Sequence, residues 1–558
     1  MNHRRWKLLP AAPAEHLARM ASFPPLMVQL LYARGIAEPA QLEPFLAADE
    51  RLLGNPFLLP DMHQAVARVY RALLLGEKIA VFGDFDTDGI AATALLVQGL
   101  SALGGRVIPY IPHRYEEGYG LNQAALESLQ AQGVSLVITA DCGISDLAEV
   151  EQGQRMGLDI IITDHHSVPA TMPPAIAVVD PKRSDSAYPF ADLAGVGVAF
   201  KLLHALGRDK LGDGLLDLVA LGTVADMVPL VAENRYLVKQ GLRLLNETKR
   251  LGLQEMMLCA GREPGSIDSE CIAWVLAPRL NAAGRLDHAL VSYKLLVTES
   301  QEEASGLASE LEAKNAERRG LTTEVLAKAR EQALGLGADC SLLLVAGEDY
   351  HAGVAGIVAG RLAEEFYRPS LVLELGEEVS RGSARSIPEF NIIAALRECG
   401  HLLSRFGGHP LAAGLTLPSH NIAPLNECLL QMATAELAEV DLRPLLLIDA
   451  EVPLSRLDGE SLKTVQQLAP FGYGNPMPTF LSRGVEVVDC RPVGNGGKHL
   501  RLKLRAGNVV WPGIGFELGG LIDEVTSHLD IVYNLGLDKW GDERMLQLSI
   551  LVFAPAAT

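Results

Sequence analysis

The sequence predicts an α/β multidomain protein: a parallel, helix-covered sheet, a second α/β domain joined by a long helix, and a C-terminal OB-like β-barrel. Three observations predict it. Short Val- and Ile-rich runs alternate with helical stretches between Lys78 and Val179. A charged stretch without proline runs from Ser300 to Arg330. Beyond about residue 443, strand-like runs are punctuated by Gly-Pro-Asn turns.

Residues 1–75 read as helical, because Leu26 to Tyr32 and Met62 to Leu74 have helix-like apolar spacing between Pro and Gly breaks. The basic start, Met1 to Lys7, precedes a short apolar stretch broken by Pro10 and Pro13, and is not read as a signal peptide. Residues 76–288 hold strand-length runs at Ile79–Phe82, Val107–Ile111, Ser135–Ala140, Asp159–Thr163 and Ile176–Val179, the first four separated by helical segments. Such runs form a parallel sheet covered on both faces, whose active sites lie beyond the carboxyl ends of the strands. Residues 289–335 are helix-prone and read as a linking helix. Residues 336–440 carry runs at Leu342–Val345 and Leu371–Leu373, with a helix starting near Val354 between them. Residues 441–558 are expected to form the barrel.

Composition narrows the classes. The 558 residues exceed one core, and about three or four domains are expected. No uncharged apolar run reaches about 18 residues, so no membrane span is expected. Seven scattered cysteines without a C-x-x-C pair argue against a disulfide framework or a zinc ribbon, and fit a cytoplasmic protein. A net charge of −20 taken alone argues against nucleic-acid binding. Acidic residues that hold cations, and local basic patches, soften that objection.

The chemistry lies at the strand ends. Asp84, Asp86 and Asp88 alternate directly after the first run. Carboxylates this close repel unless they are protonated or hold cations. Alone, the segment is an ordinary Asp-rich turn with a helix cap. Asp141 follows the third run and Asp164-His165-His166 the fourth. Adjacent histidines project to different sides, so one suits a metal and the other a phosphate or its neighbour. Asp226 is the one carboxylate in the apolar stretch Gly222 to Leu230 and needs a partner there. Together these groups form an oxygen-rich set without cysteine, suited to Mn²⁺ or Mg²⁺. Two such ions about 4 Å apart hold and cleave a phosphodiester.

In this order, Asp84 to Asp88, Asp141, Asp164-His165-His166 and Asp226 resemble the DHH phosphoesterase superfamily. Within it the chain is similar, over nearly its whole length, to bacterial exonucleases that degrade single-stranded DNA from 5′ to 3′. Further matching segments are Ile111–Gly120, Leu193–Phe200, Pro278–Arg285 and Arg381–Ser386. Phe406–Gly414 resembles the DHH-associated domain, and Pro470–Pro476 the start of the family's OB-fold region. The resemblance makes 76–288 the DHH domain, 336–440 the DHH-associated domain and 441–558 the OB fold. It implies two ions held by Asp86, Asp88, Asp141, His165 and Asp226, with Asp141 bridging. Asp84 would be a ligand or support the attacking water, and His166 would contact the phosphate or hold the site together. It also implies a role in DNA repair and recombination, with a single-strand-binding protein and a RecQ-type helicase as partners.

Residue chemistry suits other positions to DNA. Arg114, Arg285 and Arg385 offer bidentate phosphate contacts. Ser383 and Gly382 offer donors to a terminal 5′-phosphate, and Gly407-Gly408-His409 offer backbone N–H groups and an imidazole. Lys503 and Arg505 alternate with Leu502 and Leu504, as on a strand with one basic face. The sequence departs from the pattern at Tyr350, where Trp is usual, and at Asp180-Pro181, where Asn-Pro is usual. Two other functions share the metal set: a phosphodiesterase for short oligonucleotides or cyclic dinucleotides, and a non-catalytic replication scaffold. The first is generally shorter and lacks a barrel, and the second should have lost ligands that are all present here.

Overall fold

The computed structural model describes residues 4–207, 213–337, 340–538 and 545–556. Met1 to His3 of the basic N-terminus lie outside them. The chain forms two units. One comprises Pro10–Asn315 with Asp458–Pro478, the other Met1–Leu9, Ala316–Leu457 and Thr479–Thr558.

The first unit is built on a five-stranded sheet: β1 (Lys78–Gly83), β2 (Arg106–Tyr110), β3 (Val134–Ala140), β4 (Asp159–Thr163) and β5 (Ala177–Val179). All pairings are parallel, in the order β2-β1-β3-β4-β5. The strand period of two sorts the buried side chains onto two faces. Ile79, Val81, Leu136, Ile138 and Ile161 pack in one core with helices α1 (Thr87–Ala102), α4 (Gly195–Gly207) and α5 (Leu216–Ala225). Ala80, Phe82, Val137, Ile160 and Ile162 pack in another with α2 (Gln123–Ala131) and α3 (Leu147–Arg155). Each fully buried Val, Leu or Ile contributes roughly 1.5–3 kcal/mol, so the alternation fixes the register of the sheet. Downstream, α6 (Ala277–Leu286) is entered through a π-helical turn at Ile272–Leu276.

Two sequence expectations need correction here. The linking helix, α7 (Gln301–Gly335), starts later than expected, because Leu290–Val297 is a separate helix. The N-terminal region is not wholly helical: Arg5–Leu8 is a strand, paired in parallel with Leu445–Ile448 in the second unit. Pro470–Pro476, expected at the start of the OB-fold region, directly precedes the strand Phe480–Val493 and clusters, with the rest of Asp458–Pro478, in the first unit. There Asn475, 1% exposed, donates to the Leu468 and Pro470 carbonyls. Arg235, fully buried, donates to the carbonyls of Phe45 at 2.7 Å, and of Leu468 and Ala469 at 2.8 Å. The Leu230 N–H donates to the Tyr473 carbonyl at 2.7 Å, four residues beyond Asp226.

The second unit holds a mixed sheet and a barrel. The sheet strands are β6 (Leu343–Gly347), β7 (Ser370–Glu374), β8 (Val379–Arg385), β9 (Arg405–His409) and β10 (Ala412–Pro418), ordered β9-β10-β8-β7-β6. Only β6 and β7 pair in parallel. Helix α8 (Ala352–Phe366) and the last turns of α7 cover one face. Helices Ile392–Glu398 and Ile422–Leu437 cover the other. Cys399 and Cys428, 29 residues apart, form a disulfide between the last two helices. The scattered spacing that argues against a disulfide framework carries no information about this single contact. The barrel strands are β11 (Phe480–Val493), β12 (His499–Ala506), β13 (Val509–Gly515), β14 (His528–Leu537) and β15 (Leu546–Pro555). Pairing of β11 with both β12 and β14 closes the barrel. Among the described residues no helix is long and apolar enough to cross a membrane.

Candidate metal centre

Asp84, Asp141 and Asp164 each follow the last residue of a strand, and the sheet ladder continues through them. The Asp84 N–H donates to the Ala140 carbonyl at 3.2 Å, Asp141 to Thr163 at 3.1 Å, and Asp164 to Val179 at 3.2 Å. These steps bring three acidic residues side by side at the carboxyl edge of the sheet. Asp141 has φ +66°, a left-handed conformation unusual outside glycine and typical of functional sites. Gly195 makes its neighbourhood possible: a Cβ there would lie 2.4 Å from Asp141 Oδ1.

The remaining groups come from helix ends. Asp86 caps α1, its Oδ1 accepting from the N–H groups of Asp88 at 2.9 Å and Gly89 at 3.1 Å. Asp88, fully buried in the first turn of α1, accepts from Gly195 at 2.7 Å and Val196 at 3.0 Å, at the start of α4. Asp226 caps the carboxyl end of α5. His165 Nε2 lies 3.1 Å from Asp141 Oδ1 and 3.6 Å from Asp226 Oδ2.

The result is three overlapping ligand groups, each with donor atoms within 4.8 Å of one another: Asp84, Asp86 and Asp141; Asp88, His165 and Asp226; and Asp141, His165 and His166. Asp141 joins the first group to His165. Asp84 Oδ1, Asp141 Oδ1 and His165 Nε2 are buried and make no hydrogen bond. Buried polar atoms left in this way are costly, and divalent cations would satisfy them. Carboxylates and imidazole without thiolate are the donor set of Mn²⁺ and Mg²⁺.

Electrostatics agree. Burial, with the charge of Asp86, pushes Asp88 up to about 7. Burial and neighbouring carboxylates push Asp84, Asp141 and Asp226 well above the ordinary range. Without cations the cluster therefore retains protons. Burial and the adjacent His166 hold His165 down to about 3, neutral and ready to ligate. Burial disfavours charge on His166, but its hydrogen bond to Asp164 Oδ1 at 2.7 Å prevails and raises it to about 9. The two adjacent imidazoles are thus held in opposite protonation states.

Two residues escaped the sequence reading. Asp164, fully buried, accepts from the backbones of Ile144 at 3.0 Å and His165 at 2.7 Å, as well as from His166. It belongs to none of the three ligand groups. Its place at the head of the triplet was the available signal. Tyr119 donates to the Asp141 carbonyl at 3.2 Å, lies 3.2 Å from His166 Nδ1, and packs edge-on against Phe85. Only its membership of the Ile111–Gly120 motif pointed to it.

Of the arginines, Arg114 sits with its guanidinium 4.8 Å above the Phe85 ring, between Asp84 and Asp86 in sequence. Arg285 ends α6, and its carbonyl accepts from the Tyr115 hydroxyl. In the second unit, Ala412 pairs with both Arg385 and His409, and Gly414 with both Ser383 and Gly407. These two rows share a sheet face, so Ser383, Arg385 and His409 surround small residues. Gly356 of α8 keeps that face open, since a Cβ there would lie 3.1 Å from Arg385 and 3.3 Å from Ser383. Gly407 and Gly408, expected to offer N–H groups, lie in edge strand β9. On β12, Arg501, Lys503 and Arg505 are exposed between buried leucines. Asp489 and Glu486 stand opposite Lys503 and Arg505, and Arg505 bonds to Glu486 at 3.1 Å, so the face is mixed in charge.

Comparison with known proteins places this geometry. Residues 78–223 match the DHH family N-terminal domain, 339–438 the DHHA1 domain, and 448–551 the RecJ OB domain. The single-stranded-DNA-specific exonuclease RecJ of Bacillus subtilis is 39% identical over 94% of this chain and 67% of its own length. RecJ of Escherichia coli is 34% identical over 95% of this chain and 96% of its own. The crystal structure of RecJ in complex with Mn²⁺ from Thermus thermophilus matches with a TM-score of 0.86 at 29% identity, covering 100% of this chain and 80% of that one. Its complex with Mg²⁺ matches with a TM-score of 0.79 at 27% identity, covering 100% and 79%. Metal of this type is thus held by proteins of the same architecture. With three domain models matched in order and relatives aligned over nearly all of this chain, the chain belongs to the RecJ family.

Proposed function

We propose that this protein is a single-stranded-DNA-specific exonuclease that releases 5′-mononucleotides in the 5′→3′ direction by two-metal-ion hydrolysis, in DNA repair and recombination. The observation that carries the reading is the cluster of Asp84, Asp86, Asp88, Asp141, His165 and Asp226, with buried ligand atoms that no protein group satisfies. When bound, the cations would supply Lewis acidity to the scissile phosphate and lower the pKa of the attacking water. The chain's own groups do the rest. Asp141 is placed to serve both sites. His166, held charged by Asp164, is a donor to a phosphate oxygen. Arg114 and Arg285 flank the cluster as further phosphate partners.

End selection is assigned to Ser383, Arg385 and His409, whose common face suits a terminal 5′-phosphate. Lys503 and Arg505 contribute to strand binding on the barrel. On this reading a RecQ-type helicase would expose the strand, and a single-strand-binding protein would cover it.

The test uses 5′-labelled and 3′-labelled single strands with Mn²⁺, alongside Asp141→Asn. Labelled mononucleotide should leave the 5′-labelled strand at once, while the 3′-labelled strand shortens gradually. Asp141→Asn should be inert. Early release from the 3′ end, or an active Asp141→Asn, would overturn the assignment.

A further inference from the structure

The acidic segment Phe85–Asp88, which runs into the first turn of α1, carries two of the proposed ligands, and its far side rests on α6. The Thr87 N–H donates to Asn281 Oδ1 at 2.8 Å, and the Thr87 hydroxyl reaches the same oxygen at 2.9 Å. That hydroxyl also lies 3.3 Å from the Ala277 carbonyl, one turn earlier. Thr87 is 1% exposed, so these partners replace water. One turn beyond Asn281, a Cβ at Gly284 would lie 2.5 Å from the Phe85 carbonyl oxygen. Asn281 and Gly284 therefore share the helix face that meets this segment.

The helix is held firmly enough to serve as a reference. Arg279 bonds to Glu312 at 2.6 Å and Asp287 to Lys314 at 2.7 Å, bracing both ends against the first turns of α7. The Ser292 hydroxyl donates to the Leu280 carbonyl at 2.7 Å. The π turn before α6 is a deviation that recurs at functional sites. Asp86 and Asp88 flank Thr87 directly, so a shift of Thr87 moves both carboxylates.

We propose that Asn281 is a positioning residue for the metal centre, its side-chain oxygen setting Asp86 and Asp88 through Thr87, with Gly284 permitting the close approach. This rests on the metal-site reading given above. Asn281 touches neither metal nor substrate in this role. It acts as partners behind metal ligands do, where loss typically costs about 10–100-fold in metal affinity or activity.

The test compares Asn281→Ala, Thr87→Val and Thr87→Ser in the full chain. Calorimetric Mn²⁺ titration of chelator-treated protein is the readout besides activity. Asn281→Ala should weaken Mn²⁺ binding and lower kcat, each by about tenfold or more, while KM for single-stranded DNA stays within about twofold. Thr87→Val, keeping only the N–H, should fall between Asn281→Ala and the native protein, and Thr87→Ser should match the native protein. If Asn281→Ala does not fold, the difference between Thr87→Val and Thr87→Ser decides. A native Mn²⁺ isotherm in Asn281→Ala, or equal isotherms for the two Thr87 variants, would overturn the inference. Asp141→Asn separates the two levels: if it remains active, the site reading fails, whereas an inert Asp141→Asn beside a native-like Asn281→Ala sinks this inference alone.

Discussion

Removing the cations should make the protein lose stability as pH rises from 6.5 to 8. Asp88 stands at about 7 in the fold, and Asp84, Asp141 and Asp226 are raised in the same direction. A carboxyl raised in this way keeps its proton in the fold at a pH where the unfolded chain has lost it. Its favourable contribution is present in acid and declines as pH rises toward the folded value. His166, raised to about 9, acts in the same direction above its ordinary value of 6.5. His165, held down to about 3, opposes the trend only below about 6.5, which sets the lower limit of the window. Each proton kept across the whole window is worth about 1.4 kcal/mol per pH unit, hence about 2 kcal/mol, and Asp88, at about 7, keeps its own only over the lower part. The first unit has about 330 residues. Its unfolding entropy is then about 0.7 kcal/mol/K, and 2 kcal/mol corresponds to a fall in Tm of about 3 °C. Mn²⁺ replaces the retained protons, so loaded protein should lose this slope. At a hundred times Kd it should also gain about 2.7 kcal/mol, or about 4 °C. Scanning calorimetry of chelated and Mn²⁺-loaded protein at pH 6.5, 7.2 and 8 makes the comparison. A metal-free Tm that stays level or rises with pH, running parallel to the loaded protein, would refute the reasoning.

Three more outcomes are expected. Arg385→Ala should abolish the preference for a 5′-phosphorylated over a 5′-hydroxyl strand, a loss of about 2 kcal/mol or roughly 30-fold in kcat/KM on the phosphorylated one; an unchanged ratio would remove Arg385 from end recognition. Asp180 is fully buried, and burial pushes it up to about 7, so Asp180→Asn should stabilise metal-free protein more at pH 8 than at pH 5. The difference should be about 2–3 kcal/mol in urea unfolding, and equal gains at the two pH values would contradict it. Arg235→Ala removes the guanidinium that the Phe45, Leu468 and Ala469 carbonyls accept from, and should cost about 3–5 kcal/mol in chemical denaturation; a cost under about 1 kcal/mol would show that water replaces the guanidinium.

The sequence made the catalytic sheet legible because strand length, burial and chemistry coincide there. The run Asp159–Thr163 is a strand with those limits, and the acidic groups stand at the strand ends because the parallel sheet leaves its carboxyl edge open. The face of β12 was legible for the same reason, since alternation at a period of two reports burial directly. What remained hidden depends on partners far away in the chain. Arg5–Leu8 is too short to declare itself, and its pairing strand lies some 440 residues later. Asn281 is an unremarkable polar residue on a helix until Thr87 is found beside it. Cys399 and Cys428 carry no spacing signature. Asp164 was visible but read as part of a motif, because a residue that orients ligands has the same chemistry as one that binds metal.

The return of Asp458–Pro478 to the first unit has a consequence for synthesis. A growing chain emerges from the ribosome N-terminus first, and domains generally fold as they appear. This unit lacks its last piece until residue 478 is out, well after the mixed sheet of the second unit has been made. Until then Arg235 waits for two of its carbonyl acceptors, and the turn after Asp226 lacks the Tyr473 carbonyl. The turn after Asp226, a proposed metal ligand, is therefore among the last parts of the first unit to gain its support, and an abandoned nascent chain carries that centre unfinished.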